Sequence, residues 1–420
     1  MNTGAVRRHA IPLLLTASVA GIALWIWPAG LSPPRSAAIV TAWCGTTLLV
    51  FSVLLINRQP RLAEWLGGIE QTYRWHHRCG VWGYLLLLAH PLALALDGRA
   101  QSAQAAWLAI TPWTPLWEIW LGWIALALLM FGLATTFALR LAYRRWRLLH
   151  YALGLGVLAG FAHVIALVGP LPAALLLAAP GLTALAWRII ASDFGAAASP
   201  YRVTAVVRPS GTMIEATLAP QANALHAAPG QFVLTAFEAG RHFHGCGEFH
   251  PFTVSGIEAG NRLRVAIKAL GPCSAHLQLL EPGVAVRVQG PFGNFFAGDL
   301  SLPQLWIAGG IGITPFMALL RAQRCRTPTT LLYLVRERSD AAFYDELVQL
   351  QEADPHLAVH LDAAGQGTPD LAPRLDAVAG LADREVRICG PAPMVDALLP
   401  LLQARGVAAG RIQYERFDFR

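Results

Sequence analysis

The stretch from His76 to Leu96, HHRCGVWGYLLLLAHPLALAL, decides how the whole chain is read. It is apolar enough to cross a bilayer, which takes about 20 mostly apolar residues. It nevertheless carries His76, His77 and His90. Ionisable side chains at bilayer depth are costly and usually functional. A membrane span that keeps histidines at two depths predicts a bundle built around something the histidines hold.

Outward from this stretch, five further segments are long and apolar enough to span: 10–29, 37–56, 117–139, 147–168 and 171–190. The first follows Arg7 and Arg8 as a signal peptide would. No convincing small-x-small cleavage site follows it, and Trp25, Trp27 and Pro28 end it as an interfacial boundary, so it is read as a retained helix. His9 falls at its edge and is expected to be solvated. Arginines sort the connections. Arg7 and Arg8 precede the first span, Arg58, Arg61 and Arg74 lie between the second and third, Arg140, Arg144, Arg145 and Arg147 crowd the turn between the fourth and fifth, and Arg188 closes the sixth. The alternate connections hold only Arg35 and Arg99. The positive-inside rule then puts both termini in the cytoplasm of a multi-pass protein, as expected in a bacterial cell membrane.

Histidines fall on only two of the spans: His76, His77 and His90 on the third, His150 and His163 on the fifth. Both run in the same direction. His76 or His77 is therefore level with His150, and His90 with His163, the two levels about 20 Å apart at 1.5 Å rise per residue. Two histidine pairs at two depths are what two six-coordinate haems require, because neutral imidazole is a good iron ligand. His76 to His90 comes about 40° short of whole turns and keeps one face better than His77 to His90, so His76 is preferred. His150 to His163 aligns less well, and Gly154, Gly156 and Gly160 between them allow a bend or close packing. The candidate ligands are His76, His90, His150 and His163.

Composition agrees with a fusion. The chain has 420 residues, 55% hydrophobic and 14% charged, with a mean hydropathy of +0.46. Its apolar part is concentrated before about residue 190, and an ordinary α/β pattern follows. The net charge of +7 lies mostly in arginines beside apolar segments, which sets orientation and does not indicate nucleic acid. Cys44, Cys79, Cys246, Cys273, Cys325 and Cys389 make no Cys-x-x-Cys pair, and neither a disulfide framework nor a zinc ribbon is expected. The stretch from Arg241 to His250 tempts a metal reading, since His242, His244 and Cys246 alternate on one strand face. It leads straight into His250-Pro251-Phe252-Thr253, and is read as part of that motif.

The expected organisation is a six-helix transmembrane haem domain over 1–195, a small antiparallel β-barrel over 196–299 and a doubly wound α/β domain over 300–420. Ala196–Pro200 reads as a linker, and Tyr201–Arg208, Met213–Leu218 and Arg262–Ala269 as barrel strands. Lys268-Ala269-Leu270-Gly271-Pro272-Cys273-Ser274 and Gly290-Pro291-Phe292-Gly293-Asn294-Phe295 follow within the barrel. A buried strand then runs into Gly309-Gly310-Ile311-Gly312-Ile313-Thr314-Pro315, where glycines let a pyrophosphate approach backbone N–H groups. A second strand, Thr329–Val335, leads to Arg336 and Arg338, placed for an adenosine ribose phosphate. A later one, Glu385–Ile388, leads to Cys389-Gly390-Pro391.

In this order, the His-Pro-Phe-Thr, Gly-Gly-Ile-Gly-Ile-Thr-Pro and Cys-Gly-Pro motifs resemble the ferredoxin–NADP reductase family. With the histidine-bearing spans ahead of them, residues 37–420 resemble the ferric reductase/NADPH oxidase superfamily. The resemblance implies FAD, two b haems and NADPH or NADH as cofactors. It places Phe252 and Thr253 at the isoalloxazine after Pro251, with His250 where related reductases carry Arg. It assigns Lys268, Gly271 and Ser274 to the FAD pyrophosphate, and Gly309, Gly310, Gly312, Thr314 and Pro315 to NAD(P)H. Cys389, Gly390 and Pro391 would sit beside the nicotinamide, and Phe417 of the Glu415-Arg416-Phe417 ending would stack on the flavin. Thr253, Cys389 and Phe417 are thus the expected catalytic positions.

The implied activity is transmembrane NAD(P)H-dependent reduction of a small outside acceptor, a ferric chelate or O2. Animal NADPH oxidases commonly carry a further His one turn beyond the outer third-span ligand; Leu94 stands there, which puts superoxide formation in doubt. Two other readings stay open: an electron-transfer subunit feeding a periplasmic protein, and a membrane-anchored flavin reductase without haem.

Overall fold

The structure, a computed structural model, describes residues 3–296, 300–363, 365 and 371–417, with the side chains of residues 3–9, 143 and 417 outside the description. The expectations for Arg7, Arg8, His9 and the Phe417 ring therefore lie outside it. The chain divides into two compact units, Met1–Ala196 and Ala197–Arg420.

The first unit is helical: α1 (Thr3–Trp25), α2 (Pro33–Leu55), α3 (Pro60–Trp65), α4 (Ile69–Arg99), α5 (Ala103–Ala109), α6 (Trp117–Phe137), α7 (Tyr143–Val168) and α8 (Pro172–Trp187), which continues through a π-helical turn to Asp193. Among the described residues, five helices are long and apolar enough to cross a membrane: α2, α4, α6, α7 and α8 with its extension. Helix α1 ends at Trp25, where a span over 10–29 was expected. Pro28 accounts for the early stop, because proline disfavours helical geometry in the residue before it. This helix still packs into the bundle, with Ile11 and Leu15 against Leu55 and Cys79.

Glycines set how closely the helices approach. A Cβ on Gly45 of α2 would stand 2.9 Å from the Gly83 carbonyl oxygen of α4, and one on Gly156 of α7 would stand 3.2 Å from the Ala125 oxygen of α6. Small residues at such crossings are how membrane helices associate, since lipid offers no hydrophobic drive between them. The outward faces are apolar: Trp82, Leu85, Leu92 and Leu96 of α4 are all exposed. Apolar side chains facing outward on a helix of this length suit contact with acyl chains. Trp25, Trp27, Trp107, Trp113 and Trp117 are exposed near helix ends, where amphipathic rings suit the headgroup layer.

In the second unit, β1 (Ser199–Ser210), β2 (Met213–Pro220), β3 (Phe232–Phe237), β4 (Cys246–Glu258), β5 (Arg262–Lys268) and β6 (Ala285–Phe292) close a barrel in the order β1-β2-β5-β4-β3-β6. Every pairing is antiparallel. Inward residues such as Val203, Ile214, Leu218, Val233, Val254 and Leu263 form its core. The short helix α9 (Pro272–His276) follows β5.

A five-stranded parallel sheet comes next, built from β7 (Gln304–Gly309), β8 (Thr329–Val335), β9 (Leu357–Ala363), β10 (Glu385–Pro391) and β11 (Ile412–Phe417) in the order β11-β10-β7-β8-β9. Helices α10 (Thr314–Ala322), α11 (Tyr344–Ala353), α12 (Ala372–Asp376) and α13 (Ala392–Ala404) connect the strands. The order reverses between β7 and β10, and that switch point opens the crevice where such sheets bind ligands.

A buried charge network ties barrel to sheet. Glu215 of β2, fully buried, accepts hydrogen bonds from the Ser255 hydroxyl, the Arg264 guanidinium and Arg321 Nη1 of α10, the last at 2.7 Å. Arg321 also reaches Glu346 of α11 at 2.6 Å. The paired carboxylates hold the Arg321 guanidinium above its usual range despite burial. A charge buried this way is tolerated only because its partners are complete.

One cysteine expectation is corrected. Cys246 and Cys273 are disulfide-bonded, their Cα atoms 6.3 Å apart across 27 residues of sequence. Sequence spacing conceals this, because β4 and α9 meet only once the barrel closes.

Candidate functional site

Helices α4 and α7 bring the membrane histidines together in one respect that sequence phase leaves open. The His76 and His150 rings lie with centroids 6.4 Å apart. Two imidazoles on opposite sides of one iron have centroids about 6 Å apart, with metal–nitrogen bonds of about 2 Å and ring centres about 1 Å behind each nitrogen. His77 points elsewhere, edge-on to Phe137 at 5.0 Å. At the other level, α4 carries His90 and α7 carries His163.

Each candidate ligand is fixed through Nδ1. His76 Nδ1 is 2.9 Å from the Ser52 carbonyl oxygen, His90 Nδ1 is 2.8 Å from that of Ala38, and His163 Nδ1 is 2.7 Å from that of Glu118. A carbonyl only accepts, so Nδ1 carries the proton and Nε2 keeps its lone pair. His150 Nδ1 donates to the Thr136 hydroxyl at 3.2 Å, which itself donates to the Gly132 carbonyl at 2.8 Å. This is the tautomer and orientation that metal-binding histidines show. The residues His76 and His150 fit a bis-imidazole haem. Sequence reasoning missed the supporting groups Ser52, Thr136, Ala38 and Glu118, since neighbours on other helices leave no mark in a span's own pattern. Gly122 was missed as well: a Cβ there would stand 2.9 Å from the His163 ring.

At the switch point of the sheet, the carboxyl ends of β7 and β10 almost touch. A Cβ on Gly312 would stand 2.0 Å from the Cys389 carbonyl oxygen, and one on Gly309 would stand 2.9 Å from the Pro391 ring. Only glycine fits at either position. Gly310 holds a φ of +53°, a left-handed turn that glycine adopts at least cost. Lys268, at the end of β5, puts its Nζ 3.5 Å from the Cβ position of Gly310. A cation from the barrel therefore stands over the turn of the sheet. Thr314 and Pro315 are buried at the start of α10, the Thr314 hydroxyl donating to the Ile311 carbonyl at 2.9 Å.

The remaining motif residues are distributed as follows. Phe252 is half-buried and Thr253 buried on β4, with Pro251 exposed. Ser274 accepts from the Leu270 and Gly271 backbone N–H groups, both at 2.9 Å, so its hydroxyl shapes the turn that presents Gly271. Arg336 and Arg338 are exposed beyond the end of β8, the latter stacked over Tyr344 at 5.4 Å. Cys389 is fully buried, and burial with Glu415 nearby pushes its thiol well above the usual range. Such a thiol is no nucleophile at neutral pH; what it offers is a small neutral wall beside Gly390. The β11 backbone pairs Phe417 with Pro391, which brings the carboxy-terminal strand to the same edge of the crevice. His250, on β4 with Phe252 and Thr253, has its Nε2 3.6 Å from Cys246 Sγ. The alternating set His242, His244 and Cys246 does not converge: His242 pairs with Glu281 at 3.3 Å and His244 stacks with His276.

Fold and crevice together define an integral-membrane oxidoreductase with a pyridine-nucleotide-binding module. Comparison with known families specifies the two parts: residues 41–161 match the ferric reductase like transmembrane component, and residues 306–399 the oxidoreductase NAD-binding domain. Among curated proteins, the chain is similar to phenoxybenzoate dioxygenase subunit beta of Ectopseudomonas oleovorans, 38% identical over 117 residues, 27% of this chain and 35% of that protein. It is also similar to the toluate 1,2-dioxygenase electron transfer component of Pseudomonas putida, 27% identical over 210 residues, 46% of this chain and 60% of that one. The matched part thus spans about a third of the first relative and 60% of the second. Among solved structures, the FAD/NAD binding domain of nitric oxide dioxygenase from Vibrio cholerae aligns with a TM-score of 0.46 at 23% identity, covering 52% of this chain and 98% of that one. A flavohemoglobin from Malassezia yamatoensis aligns with a TM-score of 0.48 at 18% identity, covering 93% of this chain and all of its own.

Proposed function

We propose that this chain carries electrons from cytoplasmic NAD(P)H, by way of FAD and two b haems, to an acceptor on the far side of the membrane. The observation that carries the reading is the spacing of His76 and His150, 6.4 Å between ring centroids with both Nδ1 atoms tied down. His76 and His150 hold the inner haem, and His90 and His163 the outer one. FAD supplies the conversion of a nicotinamide hydride into the single electrons that haem accepts.

The chain's own residues do the rest. Gly309, Gly310 and Gly312 keep the crevice floor bare so that a dinucleotide lies against backbone, with Thr314 and Pro315 opening α10 behind it. Lys268 supplies positive charge to phosphate, and Arg336 and Arg338 meet the adenosine end. Phe252 and Thr253 wall the flavin, and Cys389, Gly390 and Pro391 wall the nicotinamide until Phe417 takes its place. The outer connections are short, which favours a small acceptor, a ferric chelate or O2.

The test is anaerobic reduction of the purified, FAD-supplemented protein by NADPH, followed by mixing with oxygen or a ferric chelate. Haem bands that reduce and then reoxidise rapidly with a small acceptor support this reading. Bands that reduce and persist with both direct it to a protein acceptor. A protein without a Soret band refutes the haem assignment.

A further inference from the structure

The flavin strand β4 is bulged where it begins. Opposite it, Thr235 of β3 faces His250 while Phe237 faces Cys246, so two steps along β3 correspond to four along β4. In a regular strand residues four apart are separated by about 13 Å. Here β4 carries two residues more than β3 over the same stretch, and Cys246 Sγ comes within 3.6 Å of His250 Nε2. Gly245, with φ +80° and no room for a Cβ against Ala239, makes the turn that delivers Cys246. Bulges of this kind re-aim side chains beside functional sites at the expense of ladder hydrogen bonds. The third member arrives from α9: the donor atoms of Cys246, His250 and Cys273 all lie within 4.8 Å of one another.

A structural disulfide accounts for the two sulfurs, and the bulge adds a nitrogen donor beside them. A tetrahedral zinc with bonds of about 2.3 Å to sulfur and about 2.0 Å to nitrogen puts those two donors about 3.5 Å apart. The observed sulfur–nitrogen separation of 3.6 Å is that edge. We infer that Cys246, His250 and Cys273 form a thiolate–imidazole zinc site when reduced, with the Cys246–Cys273 disulfide as its oxidised, metal-free form. Reduction is by a thiol of the glutathione class: two thiols become one disulfide, their electron pair cleaves the Cys246–Cys273 bond, and two protons give the cysteine thiols. Zinc then replaces those two protons, forming two S–Zn bonds and one N–Zn bond, with the fourth position left to water. Zinc itself changes no oxidation state. The site clamps the strand carrying Phe252 and Thr253 to the turn carrying Gly271.

The experiment uses full-length, untagged protein in detergent, reduced with a phosphine, freed of metal and then supplied with Zn2+ alone. Elemental analysis separates zinc from iron. The expected result is about one zinc per chain in the reduced protein, none in the oxidised protein, and a loss of at least tenfold in Cys246→Ser and Cys273→Ser. Co2+ in place of zinc is expected to give thiolate-to-metal charge-transfer absorption, lost in the same variants. His250→Gln, which keeps both sulfurs, should weaken zinc binding without altering thiol counts, and so guards against variants that misfold. A disulfide that resists reduction in the folded protein, free thiols that take up no zinc, or zinc retained in both cysteine variants would each overturn the inference.

Discussion

His76 and His77 sit one position apart on α4 and about 100° apart in direction, which is enough to separate their roles. His76 faces His150 and anchors to Ser52, whereas His77 meets the Phe137 ring. Haem content per chain, measured as the pyridine haemochrome, is expected to halve in His76→Leu and remain whole in His77→Leu; the reverse pattern would exchange the ligands. His90→Leu and His163→Leu should each lose the outer haem while NADPH still reduces flavin at the wild-type rate. At the other end of the pathway, exposed Arg336 is expected to read the ribose phosphate. Removing a charge-assisted hydrogen bond worth about 1.5–3 kcal/mol raises KM roughly tenfold or more. Arg336→Ala should therefore raise the NADPH KM by that factor and leave the NADH KM nearly unchanged, and equal effects would remove the assignment. Cys389, its thiol pushed upward, stays protonated across neutral pH. The pH profiles of flavin reduction in wild type and Cys389→Ala should keep one shape between about pH 6 and 8.5, whatever their relative heights. A limb present only in wild type would show that the thiol titrates in that range.

Elements constrain the chemistry through where their ends meet. The carboxyl ends of β7 and β10 approach so closely that Gly312→Ala forces a methyl onto the Cys389 carbonyl. NAD(P)H-driven reduction should fall at least a hundredfold in this variant, while dithionite still reduces the haem bands; steady-state and dithionite-reduced spectra check both halves. The joint between β2 and α10 rests on Glu215, whose removal leaves Arg321 and Arg264 facing a hole. Breaking such a buried group costs about 3–5 kcal/mol. Glu215→Ala should lower the denaturant midpoint for flavin release accordingly, and a change under 1 kcal/mol would show that water replaces the carboxylate easily. The bulge in β4 belongs to the same scale. A strand reads locally as alternation, and two inserted residues are visible only against the partner strand that lacks them.

For the whole molecule, the arginine distribution makes a topological prediction: single cysteines introduced at Gln101 and at Arg140, in a background lacking the native cysteines, should label from opposite sides of the membrane, Gln101 from outside. Labelling of both from one side would overturn the orientation. Sequence by itself determined the long apolar spans, the closed antiparallel barrel and the doubly wound sheet, because these depend on hydropathy, alternation and turn residues that act over a few neighbouring positions. It also put the glycine turn at a strand end, since that motif is contiguous. The end of α1 at Trp25 was less legible, as interfacial tryptophans and Pro28 compete over the same few residues. Only tertiary structure decided which of two adjacent histidines faces His150, which carbonyls fix the imidazoles, and that Lys268 stands over Gly310. It alone joined Cys246, His250 and Cys273. The physical reason is common to all of these: they are contacts between distant segments, whose geometry is set by helix rotation, barrel closure and a bulge, and none of those is encoded in the local pattern of the residues that meet.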